Sequence, residues 1–348
     1  MTIFVIITLY FGLLLLVSRL TRGSGGNDAF FRGNRKSPWP LVAFGMIGAS
    51  VSGVTFVSVP GMVLHSDMTY MQMVLGYIPG YAAVAFILLP IYYRLRLTSI
   101  YSYLGVLFGR VSYRTGASFF LFSKLTGAAV RLYLVCIVLH EFVLSAYEVP
   151  FVVTVCGVLA LIWLYTRNSG IKTLVWTDTL QTACLLTTVV LILLAAVRVL
   201  GVGLGEALGM VWDHPASRIF EWGDWSSRQF FWKQFLSGLF IVIVMTGLDQ
   251  DMMQKNLSCR DVRSAQKDMC LSGLLFTPVN LLVRVLGVLV VMIYEKTQTP
   301  LPAVADNLLP GIIASGRLGE AAVVFFIIGI IASAFSSADS AMTSISTS

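Results

Sequence analysis

Long apolar segments separated by short polar ones dominate this chain, and their length predicts helices that cross a membrane. A transmembrane helix needs about 20 consecutive, mainly apolar residues, and runs near that length recur along the sequence. We place them at residues 3–20, 39–64, 71–93, 115–145, 149–166, 173–200, 230–248, 270–294 and 320–345. The pattern therefore predicts an all-α polytopic membrane protein with about nine spanning segments.

Composition and charge strengthen this prediction and give it an orientation. Of the 348 residues, 57% are hydrophobic and 12% are charged, whereas a soluble domain has about 25% charged residues. Fifteen Lys and Arg residues lie in loops on one side, at 19–36, 94–114, 167–172 and 255–267, against five on the other. The positive-inside rule makes the first side cytoplasmic and the N-terminus external. We therefore expect a plasma (inner) membrane protein whose partner is the lipid bilayer, and the net charge of +7 does not indicate nucleic-acid binding.

The first apolar segment and the reactive residue types narrow the class of protein. Residues 3–20 have no preceding positive charge and no A-x-A cleavage site, so they are expected to be a retained anchor and not a signal peptide. Five scattered cysteines suggest reduced thiols, and three distant histidines lack metal-ligand spacing. No phosphate loop, zinc motif or nucleophile elbow occurs, so the sequence predicts that the protein is not an enzyme.

The second apolar segment carries the features of an interrupted helix. Its middle, residues 45–55, is built largely from Gly, Ser, Ala and Thr, and Pro60 and Gly61 follow. Interior Gly costs about 1 kcal/mol and Pro about 3 kcal/mol in a helix. A broken span at mid-membrane depth exposes carbonyl groups to ions in many secondary transporters. The alternative is a kinked helix whose small residues only allow close packing.

Several charged residues lie inside predicted spans, where charges are costly and usually face the protein interior. Arg284 could lie in the interior, but the sequence indicates no partner for it. Lys124 either snorkels to the cytoplasmic interface or faces a cavity. Arg131, seven positions later on the same helix face, either serves a substrate or ion path or pairs with a carboxylate or helix-end carbonyls. Asp178 is a functional candidate, or else a first-turn residue that complements the helix dipole.

The last span ends in a regular series of serines. Ser333, Ser336, Ser337 and Ser340 recur at i, i+3, i+4 and i+7, which places them on one helix face. Neutral hydroxyls and free carbonyls are hard oxygen ligands of the kind that Na⁺ accepts, whereas a soft-metal site would need Cys or His. The alternative is a packing face of small residues whose hydroxyls bond back to their own helix.

Together these segments resemble the sodium/solute symporter family, which includes sodium–sugar and sodium–proline carriers. Four stretches in family order carry the resemblance, which covers nearly the whole chain. They are residues 49–53 (Ala-Ser-Val-Ser-Gly) leading to 59–61, residues 176–181 (Trp-Thr-Asp-Thr-Leu-Gln), residues 249–255 (Asp-Gln-Asp-Met-Met-Gln-Lys) and residues 334–340 (Ala-Phe-Ser-Ser-Ala-Asp-Ser).

The resemblance implies a fold of two inverted five-helix repeats preceded by an extra N-terminal helix. On that pattern residues 1–348 are a single transmembrane transporter domain. Residues 1–20 are the extra helix, 38–200 the first repeat and 230–348 an incomplete second repeat. The last core helices are expected to be missing, as in a C-terminally truncated member of the family.

The resemblance also implies a Na⁺ site between the broken span and the last span, with Na⁺ as the coupling ion. Its ligands map onto the carbonyls of Gly48, Val51 and Ser333 and the hydroxyls of Ser336 and Ser337. The carboxylate that family members place near this site maps onto Asp178, which could tune ion release without ligating directly.

Solute contacts are expected from Thr55, Ser52 and Arg131, and the arginine would suit an anionic small-molecule solute. Two departures from the family pattern stand out. Ser169 and Gly170 replace a usual Gly-Gly turn, and Val242 and Met245 occupy about the positions where sodium–sugar carriers place Asn and Tyr. The second departure counts against a hexose.

The predicted function is sodium-coupled secondary active symport of a small solute into the cell by alternating access. The alternative is a transporter-like sensor module fused to a signalling protein. A channel is disfavoured because no span carries a charged ring or a pore-loop signature.

Overall fold

Helices make up nearly all of the part of the chain that this computed structural model describes, which is residues 2–21, 33–51, 53–95, 99–140, 144, 147–166 and 170–347. Apart from an isolated bridge between Ser37 and Cys259, these residues form no β-structure. In the first half the α-helices are α1 Thr2–Thr21, α2 Trp39–Ser50, α3 Gly53–Gly61, α4 Val63–Ser66, α5 Tyr70–Ala83, α6 Leu89–Arg94, α7 Ser102–Phe108, α8 Arg110–Leu139, α9 Phe151–Thr166 and α10 Ile171–Leu200. In the second half they are α11 Leu204–Asp213, α12 Phe231–Val242, α13 Gln250–Leu257, α14 Val262–Lys296, α15 Leu308–Ala314 and α16 Glu320–Thr347. The prediction of an all-α fold is confirmed.

The predicted spans are present, and two of them are sharply bent. Five unbroken helical segments are long and apolar enough to cross a membrane, and two shorter apolar helices, Thr8–Thr21 and Phe151–Leu164, match the first and fifth predictions. The second span bends by 62° between α2 and the segment Thr55–Ser66, which covers most of α3 and α4, and the sequence predicts an interruption at this point. A 68° bend between Phe231–Gly247 and α13 was not predicted. Each of the two predicted repeats thus begins with a bent span.

The core lies among four helices, α2, α10, α14 and α16. Helix α10 packs along both α2 and α16, and α14 packs against α2, α5 and α10. Helix α14 carries a continuous buried stretch over Leu286–Tyr294, although Pro278 interrupts its hydrogen bonding about two turns earlier. By contrast, α8 is mostly exposed on its apolar surface, as expected of a helix that faces lipid. The innermost elements are therefore those that carry the predicted ion ligands.

Helices α5 and α12 approach each other at backbone distance. A methyl group on Gly76 would lie 2.0 Å from the carbonyl oxygen of Phe235, and one on Gly238 would lie 2.0 Å from that of Met73. Small residues permit such close helix packing in membranes, where burial of apolar surface gives no driving force between helices. Dispersion contacts between the two backbones therefore hold this pair together.

The segments at the membrane edges follow the sequence prediction in part. The segment 94–114, which its basic residues place on the cytoplasmic side, contains the short helix α7, and Gly109 at φ +88° separates α7 from α8. The polar stretch 249–267, expected to be a cytoplasmic loop, instead forms the buried helix α13 and the start of α14. Asp261 caps α14 by accepting the Ser264 N–H at 2.8 Å, and this bond lowers the pKa of the Asp261 carboxyl.

Candidate functional site

The break after α2 leaves carbonyl groups without helical partners in the protein interior. Helix α2 ends at Ser50, and its C-cap Val51 has φ −86° and ψ 83°, outside the helical region. The Val51 N–H still donates to the carbonyl of Ile47 at 2.8 Å. The last carbonyls of a helix have no intrahelical donor, so those of Gly48 to Val51 are available to other groups. Gly48 and Val51 are both buried.

The serine face of α16 meets this break directly. The Ser333 hydroxyl donates to the Val51 carbonyl oxygen at 2.8 Å. Ser333, Ser336 and Ser337 are all buried. Ser337 donates to the carbonyl of Ser333 at 3.2 Å, so its hydroxyl bonds back to its own helix as the packing alternative predicts. Ser336 does not follow that alternative, because it points to another helix.

Asp178 of α10 receives the Ser336 hydroxyl. Its Oδ1 accepts a hydrogen bond from Ser336 Oγ at 2.7 Å, and the carboxylate is fully buried. The alternative of a first-turn residue is wrong, because α10 begins at Ile171, about two turns earlier. A carboxylate, two hydroxyls and the end of a broken helix therefore lie next to one another across α2, α10 and α16.

A glycine contact sets the distance between α2 and α10 at this level. A methyl group on Gly48 would lie 2.1 Å from Thr182 Oγ1. The Thr182 hydroxyl donates to the Asp178 carbonyl at 2.7 Å, so its position is fixed. Gly45, one turn earlier on α2, packs against the Asp178 Cβ in the same way. The small residues that interrupt the second span thus also bring it close to Asp178.

Lys255 of α13 contacts the other oxygen of the Asp178 carboxylate. Lys255 Nζ lies 2.7 Å from Asp178 Oδ2, and the two side chains are 2% and 1% exposed. Helix α13 is oriented by its N-cap Asp249, whose carboxylate accepts the N–H groups of Asp251 and Met252 at 2.9 and 3.2 Å. The first turn of α13 thus holds Asp251, whose Oδ1 is 4.0 Å from Lys255 Nζ.

Lys124 continues this network toward the edge of the protein. Its Nζ lies 3.1 Å from Asp249 Oδ2 and 3.0 Å from Asp251 Oδ2, with 16% of the side chain exposed. The snorkelling interpretation of Lys124 is therefore wrong, because two carboxylates hold it inside. Ser336, Asp178, Lys255, Asp251, Lys124 and Asp249 form one line of contacts, which we call the charge line.

The predicted solute residues are less closely associated. Thr55 is half-buried in α3, the second half of the broken span. Arg131 is half-buried on α8 and makes no hydrogen bond or ion pair with any residue that the structure describes. Ser52 lies outside the described residues. Of the two departures, Val242 is buried beside Gly80 and Met245 is 62% exposed, so Met245 does not line an interior site.

Arg284, a charged residue that the sequence left without a partner, contacts the outer turn. Its guanidinium donates to the Asp67 carbonyl at 3.2 Å and lies 4.7 Å from the centre of the Tyr70 ring. The side chain is fully buried, and within the described chain no carboxylate pairs with it. A backbone carbonyl and an aromatic face therefore take the place of a counter-ion.

Sequence reasoning missed Lys255 and its acidic neighbours as site residues. The stretch 249–255 drew attention only as part of a resemblance, and its polarity suggested an exposed loop. One signal was present, since Asp251 and Lys255 are spaced i, i+4 and could pair on one helix face. Nothing local, however, indicates that this face turns toward Asp178.

The donor set of this region suits a hard cation. Carbonyl, hydroxyl and carboxylate oxygens are ligands for hard cations, whereas transition metals prefer imidazole or thiolate. In the part of the chain that the structure covers, no three His, Cys, Asp or Glu side chains converge as a metal-binding group.

Comparison with known proteins points in the same direction. A family model described as "Sodium:solute symporter family" matches residues 30–347. The human sodium/iodide cotransporter is 25% identical over 265 residues, which are 74% of this chain and 40% of that protein. The sodium/sialic acid symporter SiaT of Proteus mirabilis is 24% identical over 334 residues, 92% of this chain and 64% of that protein. The chain thus spans less than two thirds of the length of either relative.

A solved structure supports the fold independently of sequence identity. It is described as the substrate-bound outward-open state of a Na⁺-coupled sialic acid symporter, and it matches with a TM-score of 0.84 at 22% identity. The match covers 100% of this chain and 73% of that chain. The helices described above are therefore arranged as in a membrane carrier.

Proposed function

Since the chain belongs to the sodium:solute symporter family, we propose that its activity is sodium-coupled symport of a small solute into the cell by alternating access. One observation carries the proposal: the Ser333 hydroxyl bonds the Val51 carbonyl while, one turn along α16, Ser336 bonds Asp178. Oxygen atoms from three helices are thus gathered at one buried position beside a helix break.

The Na⁺ ligands that we propose are those implied by the family resemblance. They are the carbonyls of Gly48, Val51 and Ser333 and the hydroxyls of Ser336 and Ser337. Burial of all five supports the assignment, because a cation that loses its water needs a complete shell of protein oxygens. We place Asp178 beside this shell, where its negative charge attracts the ion.

Coupling follows from where the ligands reside. A cation held by both α2 and α16 favours the conformation in which these helices are together, and a solute that favours the same conformation binds more tightly when Na⁺ is present. Inward movement of one positive charge gains about 2.3 kcal/mol per 100 mV of membrane potential. The sodium gradient thus drives solute uptake, and the membrane potential adds to it when the Na⁺ and solute that enter together carry a net positive charge.

For the solute we propose a small anion, contacted by Thr55 and Ser52 in the broken span and by Arg131. The relatives named above are carriers of iodide and of sialic acid by their names, which supports an anionic solute. Arg131, half-buried on α8, supplies the positive charge for this contact. A hexose remains disfavoured by Val242.

The organisation that we propose follows the family pattern. Residues 1–20 form an extra helix, 38–200 a first repeat and 230–348 part of a second, and the matching 62° and 68° bends support this division. The protein is a multi-pass membrane protein of this family. We propose a plasma (inner) membrane location with the N-terminus outside, on the basis of the loop charges.

The sensor-module alternative has less support. The relatives reported above are carriers by name, as is the matching structure. Carriers are also distinct from enzymes, in agreement with the sequence prediction. A sensor built on this fold would still bind Na⁺ and solute, so binding alone does not separate the two, and uptake into vesicles does.

Binding of ²²Na⁺ to the purified chain tests the site. We expect saturable binding that excess Na⁺ displaces and K⁺ does not, and we expect Ser336→Ala/Ser337→Ala to abolish it. Thr126→Ala is the matched control, because that hydroxyl is exposed and bonds its own helix on α8. A double variant that binds Na⁺ as tightly as the control would refute the ligand assignment. A solute screen for Na⁺-dependent thermal stabilisation then identifies the cargo, and uptake into vesicles tests symport.

A further inference from the structure

Both oxygens of the Asp178 carboxylate are engaged, one by a neutral hydroxyl and one by a cation that the protein itself supplies. Ser336 Oγ is 2.7 Å from Oδ1, and Lys255 Nζ is 2.7 Å from Oδ2. We propose that Lys255 is a tethered cation that competes with Na⁺ for Asp178 and exchanges with it during transport. This inference rests on the proposed function, and it adds a specific role for a residue of α13.

Competition follows from charge and burial. The Lys255 side chain is 2% exposed, so water does not screen its ammonium from the Ser336–Asp178 position. A Na⁺ ion beside Asp178 would be close to a second positive charge in a region of low effective dielectric, where repulsion is strong. Na⁺ binding there must therefore weaken the contact between Lys255 and Asp178.

An alternative partner for Lys255 is already in place on its own helix. Asp251 Oδ1 lies 4.0 Å from Lys255 Nζ, one helical turn away. A small change in side-chain torsions moves the ammonium from Asp178 to Asp251 without exposing it to lipid. Asp251 also contacts Lys124, and Lys124 in turn has a second carboxylate, Asp249, at 3.1 Å. Lys255 and Lys124 thus each have a second carboxylate within reach when the contact with the first is lost.

The balance of charged groups leaves room for one more cation. Carboxyl groups face this region from three elements: Asp178 on α10, Asp249 and Asp251 at the start of α13, and Asp339 on α16, which attracts Lys255. The cationic side chains are Lys124, Lys255 and, at longer range, Arg131. Within the charge line itself, three carboxyl groups face two ammonium groups, so a monovalent ion would complete the balance.

Exchange with Na⁺ at Asp178 gives Lys255 a role in the release of Na⁺. The Lys124 end of the charge line lies on the side that we propose to be cytoplasmic. When Na⁺ departs, the return of the ammonium to Asp178 avoids leaving a bare buried carboxylate, which would hold the ion back. The tethered lysine thus weakens Na⁺ binding in the resting site and eases the return of the empty carrier.

Two substitutions with opposite expected effects test the proposal by ²²Na⁺ binding to the purified full chain. Lys255→Met removes the competitor at similar volume, so Na⁺ should bind at least about tenfold more tightly and dissociate more slowly. Asp251→Asn removes the alternative partner and holds Lys255 on Asp178, so Na⁺ should bind more weakly. Lys172→Met, an exposed change on α10, is the control and should bind as the unmodified chain does.

The outcomes separate this inference from the proposed function. Unmodified chain that binds no Na⁺ overturns both. Unmodified chain that binds Na⁺, with Lys255→Met unchanged or weaker, overturns only the exchange role and leaves the sodium site standing. If Lys255→Met does not fold, Asp251→Asn decides, since unchanged or tighter Na⁺ binding in that variant contradicts the proposal.

Discussion

The Ser333 hydroxyl donates a hydrogen bond of 2.8 Å to the carbonyl oxygen of Val51, a residue 282 positions earlier in the chain. This bond joins the last described span to the break in the second one. It is made by the only part of the Ser333 side chain that can donate, to an oxygen that helix geometry leaves free. The relationship makes the break a contact point between the two predicted repeats.

Removing this hydroxyl should weaken the junction. We expect Ser333→Ala to destabilise the protein by about 1–3 kcal/mol, because the Val51 carbonyl is then buried without a donor. Thermal unfolding in detergent measures the change. Ser112→Ala, an exposed hydroxyl that bonds its own chain at Phe108, is the control and should differ little from the unmodified protein. Equal midpoints for both variants would show that the bond contributes nothing.

The closeness of α2 and α10 predicts a steric effect. Gly48→Ala places a methyl group 2.1 Å from Thr182 Oγ1, so the helices must separate at a cost of about 1–3 kcal/mol. The midpoint temperature of thermal unfolding and the affinity for ²²Na⁺ should both fall. Gly127→Ala on α8 meets nothing within 4 Å and should not destabilise. Adding Thr182→Ala to Gly48→Ala should restore part of the lost stability. If it restores none, the clash with Thr182 is not the cause of the destabilisation.

Lys124 should be important for stability, because two carboxylates hold it inside the protein. Lys124→Met leaves Asp249 and Asp251 close together without their shared cation, so we expect a loss of roughly 2 kcal/mol or more. Asp249→Asn in the same chain should recover part of it, since Asn still caps a helix but carries no charge. Denaturation of the three chains in parallel measures this coupling. Independent, additive effects would argue against the shared ion pair.

The contribution of Arg284 to stability should depend on its planar guanidinium group and not only on its positive charge. Arg284→Lys keeps the charge but cannot at once donate to the Asp67 carbonyl and lie over Tyr70, so thermal stability should fall. Arg218→Lys is a suitable comparison, because Arg218 binds the same Asp67 through its carboxylate and is 57% exposed. We expect the buried substitution to lower the unfolding midpoint more. The reverse order would contradict the assigned role.

The sequence predicted the spans and the serine face of α16 better than it predicted the partners of the charged residues. Apolar length is set by the bilayer, and the breaks follow from Gly and Pro, so the spans and the interruption near Val51 could be located. The serine face could be found because its period is that of a helix. Lys255 was placed in a cytoplasmic loop, and Lys124 was left between snorkelling and a cavity. Their partners Asp178, for Lys255, and Asp249 and Asp251, for Lys124, are remote in sequence. The partners of Arg284 are a carbonyl and a ring, which leave no charge pattern to find.

The backbone contact between α5 and α12 constrains how this protein can change shape. With Gly76 against Phe235 and Gly238 against Met73, no side chain lies between the two helices at these points. Because no side chains separate the two backbones there, neither helix can roll over the other without breaking this contact. In any rocking movement, α5 and α12 must therefore move together as one rigid body. Sliding between helices can occur only at contacts where side chains lie between the backbones. Spin labels placed on α5 and α12 should therefore report one constant separation in every state of the cycle.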